Sequence, residues 1–124
     1  MEEFVEVLSG PGIAVWGDAV RAWRLDGERI TLSVVELDPG AALPEHGHEA
    51  EQVGICLRGS IEFDIDGRVR DVAPGGGWRI RTMRPHRATA GPEGATVVEV
   101  FSPVRSDWDG LPAAAERARR PAWG

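Results

Sequence analysis

The sequence predicts an all-β domain, built as an antiparallel sandwich or barrel. About ten short segments with strand-like patterns follow one another along the chain, and turn signals separate them. Glycine and proline are also frequent (Gly 16 and Pro 9 among 124 residues), which favours many turns over long helices. Only Ala113–Arg120 has the composition of a helix, and Pro121 ends it. We therefore expect a β-fold with one short C-terminal helix.

The first third of the chain predicts four strands. Phe4–Leu8 is rich in β-forming residues and ends at a Ser-Gly-Pro-Gly turn. Ile13–Trp16 and Ala19–Leu25 follow, and a Gly-Asp pair separates them. Arg29–Leu37 alternates between apolar and polar residues, and the Asp-Pro-Gly turn at residues 38–40 ends it.

The middle of the chain predicts a further strand and a hairpin. Glu51–Leu57 is the strand, and a glycine follows shortly after it. Ser60–Asp66 has the clearest period of two, with isoleucine and phenylalanine on one face and acidic residues on the other. An Asp-Gly turn then returns the chain through Arg68–Ala73.

The last predicted strands are Trp78–Arg81, His86–Ala90 and Ala95–Phe101. The length of the chain fits one domain over residues 1–124. We expect the core barrel at about 28–104, with N-terminal strands in 1–27 and a C-terminal segment over 105–124.

The composition excludes several classes of function. The chain has no lysine, asparagine or tyrosine, which excludes Schiff-base chemistry and a lysine-dependent phosphate loop. The net charge of −6 argues against nucleic acids and anionic membranes as partners. A single cysteine, Cys56, allows no intrachain disulfide. With an acidic N-terminus and no long apolar run, we expect a cytoplasmic protein.

The three histidines and the only glutamine are the best candidates for a functional site. His46 and His48 are two residues apart, so on a strand both would face the same side, and Gln52 shares that parity. His86 comes from a later strand. We expect these four side chains to hold a divalent metal ion, with Zn, Ni, Mn and Fe all open.

Glu51 competes with Gln52 for the fourth position. A carboxylate binds divalent ions better than an amide does. Strand alternation nevertheless favours Gln52, because Glu51 would point away from the histidine pair unless a β-bulge intervened.

The histidine spacing resembles the first motif of the cupin family. That motif is Gly, five residues, His-x-His, three or four residues, Glu, six residues, Gly. The chain reads Gly40-AALPE-His46-Gly47-His48-EAE-Gln52-VGICLR-Gly59, with glutamine in place of the glutamate. The resemblance implies a small jelly-roll barrel in which these residues bind metal.

The second cupin motif is only partly present. Gly75 and His86 match it, whereas Arg81, Met83 and Ala90 stand where the family has Pro, Gly and Asn. The resemblance covers roughly residues 30–102.

A segment after the second motif is similar to one in the small cupins that linearise unsaturated uronates in pectin and alginate breakdown. Those cupins also use glutamine in the first motif. The resemblance implies three catalytic residues: Glu99 as a general acid or base (where those cupins usually have Asp), Phe101 beside the substrate, and Arg105 as a fork for a substrate carboxylate.

Each of these residues also has a purely structural interpretation. Phe101 could pack in the core, Glu99 could be a satisfied buried acid, and Arg105 could form a surface ion pair with Asp107. The resemblance also implies a homodimer, with Phe4–Leu8 as a candidate for strand exchange.

Three functions follow from these observations. The first is a metal-dependent enzyme that acts on a small anionic sugar or keto acid by proton transfer or ring-opening isomerisation. The second is a metal-dependent dioxygenase, which the absence of a carboxylate ligand disfavours. The third is a cupin that binds a metal or small molecule without catalysis.

Overall fold

The computed structural model describes residues 2–115, and across them the strands form one eight-stranded antiparallel sheet. A single turn of 3₁₀ helix follows the last strand at Ser106–Trp108. The strands are β1 Ile13–Ala14, β2 Val20–Asp26, β3 Thr31–Leu37, β4 Ala42–His46, β5 Glu51–Ile65, β6 Arg68–Val72, β7 Gly77–Ile80 and β8 His86–Ser102.

Two long strands, β5 and β8, fold this sheet over itself. They pair along their whole length, and their register shifts on both sides of Gly59. Gly59 has a φ of 71°, and a Cβ there would collide with the carbonyl oxygen of Gly94. Only glycine fits this close approach, which lets both strands bend and continue from one layer into the other.

The bend creates two layers with the core between them. The first half of β5 and the second half of β8 join β1, β2, β3 and β7 in one layer. The other halves join β4 and β6 in the second layer. The predicted all-β barrel fold is thereby confirmed.

Several predicted element boundaries differ from the structure. The pairs of strands predicted at Glu51–Leu57 and Ser60–Asp66, and at His86–Ala90 and Ala95–Phe101, are continuous as β5 and β8. Bulges turn these strands without ending them, and a glycine inside a strand looks like a turn in the sequence.

The N-terminal prediction was wrong at Phe4–Leu8, which forms no strand, because none of the described strands pairs with it. Its residues are exposed apart from the half-buried Val7, with Phe4 at 88%. Ala42–His46, which the sequence did not predict as a strand, is β4.

The predicted C-terminal helix over Ala113–Arg120 lies mostly outside the described residues. Its described part is not helical, and Ala113 forms an isolated bridge with Ile13. Among the described residues, no helix has the length and apolar character needed to cross a membrane.

Candidate metal centre

The three histidines meet at one mouth of the barrel. His46 ends β4 and lies opposite His86, the first residue of β8, in the strand register. His48 lies two residues beyond β4, in the loop before β5. The ring centroids are 4.2 Å apart for His46 and His86, 5.1 Å for His48 and His86, and 5.7 Å for His46 and His48.

Each imidazole is oriented by a backbone carbonyl. The Nδ1 atoms of His46, His48 and His86 lie 2.7, 2.6 and 2.8 Å from the carbonyl oxygens of Pro44, Ala50 and Arg84. With a proton on each Nδ1, the tautomer that these contacts favour, all three Nε2 atoms carry lone pairs. One ligand atom from each ring lies within 4.8 Å of those from the other two, so the cluster can hold a metal ion.

Burial keeps two of these imidazoles neutral, as metal ligation requires. It lowers the pKa of His86 to about 4, and nearby positive charge, including Arg105, adds to the effect. The pKa of His48 is also lowered, chiefly by burial and then by Arg105.

Gln52 faces this cluster, whereas Glu51 is exposed, as strand alternation predicts. Gln52 Oε1 lies 2.8 Å from His48 Nε2, and Gln52 Nε2 donates a hydrogen bond to the Glu99 carboxylate. The amide is therefore held with its oxygen toward the imidazole.

With the amide in this orientation and a proton on His48 Nδ1, both atoms of this contact are acceptors. Neutral His48 has one N–H, so it cannot donate both to the carbonyl of Ala50 and to the amide oxygen of Gln52. The lowered pKa of His48 opposes protonation. A divalent ion held by His48 Nε2 and Gln52 Oε1 would satisfy both atoms without a proton. The donor set therefore fits a divalent metal ion.

A buried carboxyl group lies directly behind the glutamine. Glu99 lies on β8, and its Oε2 accepts hydrogen bonds from Gln52 and, at 2.9 Å, from Trp78 Nε1. Burial raises its pKa, and both hydrogen bonds and Arg105 act in the opposite direction.

The indole of Trp78 packs against Gly54, which has no side chain. A Cβ at Gly54 would lie 2.6 Å from the indole ring. The ring of Phe63 supports the indole, at 4.5 Å between centroids. Sequence reasoning missed the role of Trp78, because the cross-strand pairing of Gly54 with Trp78 cannot be read from either segment alone.

Arg105 is held between two aromatic rings just after β8. Its guanidinium carbon lies 4.6 Å from the ring centre of Phe101 and 4.5 Å from that of Trp108. Its Nε and Nη2 donate to the two carboxylate oxygens of Asp107, each at 3.0 Å. Among the described residues, nothing accepts a hydrogen bond from Nη1.

All seven predicted site residues line one cavity between the two layers, with a volume of about 50 Å³. Trp16 lies at the mouth, 5.0 Å from the ring of His46. The polar lining residues are His46, His48, Gln52, His86, Glu99 and Arg105, and the apolar ones are Val15, Trp16, Val20, Val35, Leu37, Leu43, Ile61, Phe63, Ala88, Val97, Phe101 and Trp108.

Comparison with known protein families identifies the fold. The Cupin domain family (Cupin_2) matches residues 33–101, more than half of the chain. The chain belongs to the cupin family. No match is found among curated proteins.

Solved cupin structures share the fold at low sequence identity. An RmlC-like cupin from Shewanella frigidimarina is 23% identical with a TM-score of 0.77, over 87% of this chain and 96% of that chain. KdgF from Halomonas sp. is also 23% identical, with a TM-score of 0.70 over 80% and 98%. A mutant of Bacillus subtilis oxalate decarboxylase is 22% identical with a TM-score of 0.69, over 82% of this cupin and 29% of that chain.

Proposed function

We propose that this cupin is a metal-dependent enzyme that acts on a small anionic sugar or keto acid, by proton transfer or ring-opening isomerisation. One observation carries the proposal: three imidazoles, a buried carboxyl group and a guanidinium line the same cavity. The similarity of the Glu99–Arg105 segment to the cupins that linearise unsaturated uronates supports it as well.

We propose that His46, His48, His86 and Gln52 hold the ion, which can be Zn, Ni, Mn or Fe. This ligand set is neutral, so a bound divalent ion keeps its full charge and supplies Lewis acidity toward a substrate oxygen. Gln52 also joins the ion site to Glu99 through its amide.

Glu99 is the proposed proton carrier. Gln52 and Trp78 both donate to its Oε2, and no described residue bonds to its Oε1. Oε1 is therefore the atom that can exchange a proton with a substrate. The raised pKa favours the protonated acid, the form that gives a proton to a developing oxyanion.

Arg105 is the proposed carboxylate-binding residue, with Phe101 beside the bound substrate. Asp107 and the two aromatic rings fix the guanidinium plane while Nη1 stays free of protein acceptors among the described residues. A fixed guanidinium loses little conformational entropy when it binds an anion.

The direct test is turnover by the purified protein on unsaturated uronates and on small keto acids, with and without EDTA. We expect chelation to abolish turnover and added divalent ion to restore it. Absence of metal-dependent turnover on both substrate classes would overturn the proposal and favour a non-catalytic binding cupin. Oxygen uptake by iron-loaded protein would instead favour a dioxygenase.

We also propose a cytoplasmic homodimer of single-domain chains. The outer face of β5 exposes Val53 (46%), Ile55 (40%) and Leu57 (49%), an apolar row that a second copy would cover. Sedimentation of the wild type should give a dimer. Ile55→Glu should weaken it, whereas Glu62→Gln, an exposed position farther along the same strand, should not.

A further inference from the structure

The cavity at the candidate metal centre is too small for a whole substrate molecule. Its volume of about 50 Å³ corresponds to roughly four water-sized groups, at roughly 10–15 Å³ each. A bound ion and the end of the ligand that reacts at it would fill this space. The rest of the ligand must lie outside the barrel.

A larger cleft adjoins the cavity on the side of His48 and Arg105. Its volume is about 460 Å³, and its lining comes from the turn after β2, the loop before β5 and the segment that follows β8. His48 and Arg105 line both spaces. The cleft is therefore the place where the body of a ligand can lie while one end of it is held at Arg105.

Arg105 is a fixed and mostly buried side chain at this boundary, with one nitrogen left over. The residue is 8% exposed, its backbone N–H donates to Thr31 Oγ1 at 3.0 Å, and its Nε and Nη2 donate to Asp107. Nη1 has no acceptor among the described residues. No fully buried polar side-chain atom in that part of the chain lacks a partner, so Nη1 lies at the surface of the cavity or the cleft.

The cleft around Arg105 is acidic. Among the described residues that line it, the charged ones are Arg105 and the carboxylates of Glu28, Glu49 and Asp107, which gives a net charge of −2. Asp107 pairs with Arg105. Glu28 and Glu49 are exposed, and within residues 2–115 neither forms a salt bridge or accepts a hydrogen bond. These two carboxylates repel a plain anion that approaches Arg105, and they attract a cation.

We infer that the site takes a carboxylic acid that also carries a cationic nitrogen, with the carboxylate at Arg105 and the nitrogen beside Glu28 and Glu49. The inference narrows the substrate class of the proposed function and rests on it for the role of Arg105. A zwitterion has no net charge, so the acidic cleft does not repel it as it repels a plain anion. An ammonium group gains ion pairs with the two carboxylates, whereas a methyl group in the same place gains none.

The expected preference for a zwitterion is modest, because Glu28 and Glu49 are exposed. An exposed ion pair changes affinity by up to about fivefold, and salt screens it. The two carboxylates together should favour an ammonium group over a methyl group by about two- to tenfold at low ionic strength. The preference should largely disappear in about 0.5 M sodium chloride.

Matched pairs of acids test this inference by calorimetry on the protein as purified, with its own metal. The pairs are 3-aminopropanoate with butanoate, 4-aminobutanoate with pentanoate, and 5-aminopentanoate with hexanoate. In each pair an ammonium group replaces a methyl group of similar size. We expect at least one amino acid to bind about two- to tenfold more tightly than its partner. If every alkanoate binds as tightly as its amino partner, or if no acid binds, the inference is overturned.

Substitutions in the cleft show whether its carboxylates cause the preference. Glu28→Gln should lose part of the preference, and the double variant Glu28→Gln with Glu49→Gln should lose all of it. The control Glu93→Gln removes the same charge at an exposed residue of β8 that does not line the cleft, and it should keep the wild-type preference. A preference that survives in the double variant, or that falls equally in the control, would contradict the inference.

Binding and turnover distinguish this inference from the proposed function. If the amino acids are preferred but no uronate or keto acid is turned over, the enzymatic proposal fails and the ligand class stands. If uronates or keto acids are turned over with metal while the ammonium group gives no advantage, the enzymatic proposal stands and this inference fails.

Discussion

The same strands contribute to two parts of this cavity that impose different constraints. One is a polar cluster and the other an apolar wall; the cluster is His46, His48, Gln52, His86, Glu99 and Arg105, and the wall is Val20, Val35, Leu37, Ile61 and Val97. β8 contributes Val97 to the wall and Glu99 to the cluster, and β5 contributes Ile61 and Gln52 in the same way. The cluster has directional hydrogen bonds and shifted pKa values, whereas the wall has only shape and apolar surface. The chemistry should therefore depend on the cluster, whereas the wall, whose residues are at most 5% exposed, stabilises the fold that holds the cluster.

Removing the ionisable carboxyl group of Glu99 should have the largest effect on turnover. Glu99→Gln keeps the size of the side chain and loses the ionisable group, so turnover should fall by roughly 100- to 10,000-fold. Steady-state kinetics gives this ratio, and metal content measured on the same samples should be unchanged. Full turnover by Glu99→Gln would remove the acid from the mechanism.

Loss of the guanidinium should weaken binding of acids. Arg105→Gln removes a charged hydrogen bond to the carboxylate, so the affinity for a small keto acid such as pyruvate should fall by roughly 10- to 150-fold. Calorimetry measures the change. Arg79→Gln, at an exposed residue of β7, is the matched control and should bind as the wild type does. If both variants bind equally well, the carboxylate is bound elsewhere.

Acid should destabilise the metal-free protein through His86. Its pKa is about 4 in the folded state and near 6.5 when unfolded, so the unfolded chain binds the proton first as pH falls. The free energy of unfolding should decrease between pH 6.5 and 4, by at most about 3 kcal/mol from this group.

Urea titrations in the presence of a chelator can measure this loss at several pH values. His86→Gln lacks the titrating group and should show a shallower pH dependence than the wild type. Identical pH profiles for the two proteins would show that His86 titrates normally in the folded state.

The smallest expected effect on turnover comes from substitution of Trp78, whose indole donates to Glu99. Trp78→Phe removes the donor to Oε2, and the loss of a single hydrogen bond should change turnover by about tenfold at most. Trp23→Phe makes the same substitution at a buried tryptophan whose indole donates to Gly10 outside the cavity. Equal turnover by both variants would assign Trp78 to packing alone.

The alternation of apolar and polar residues was the basis for most of the strand predictions. It placed the hairpin after Ser60–Asp66 correctly, because that hairpin depends on a local pattern. In Arg29–Leu37, by contrast, the polar Thr31 and Ser33 are buried and the apolar Leu32 is exposed. The prediction failed at Phe4–Leu8, where strand-like residues find no neighbouring strand among the described residues, and at Gly59, where a bulge looks like a turn. Pairing partners and bulges depend on the tertiary structure.

The candidate site was predictable only where chemistry depends on residue type and spacing. The spacing of His46, His48 and Gln52 indicated a cluster, although His48 lies in the loop after β4 and does not share a strand with His46. The Trp78 donor and the stacked environment of Arg105 arise from cross-strand register and from the 3₁₀ turn after β8. Neither contact has a signature within a single segment.

The amount of divalent metal bound per chain tests the central claim most directly. Elemental analysis of wild-type protein and of His86→Ala, both purified without added metal, should give about one ion per wild-type chain and a large loss in the variant. An unchanged circular dichroism spectrum would show that the variant is folded. Wild-type protein that holds no ion even after titration with Zn, Ni, Mn and Fe would contradict the claim that these imidazoles form a metal site.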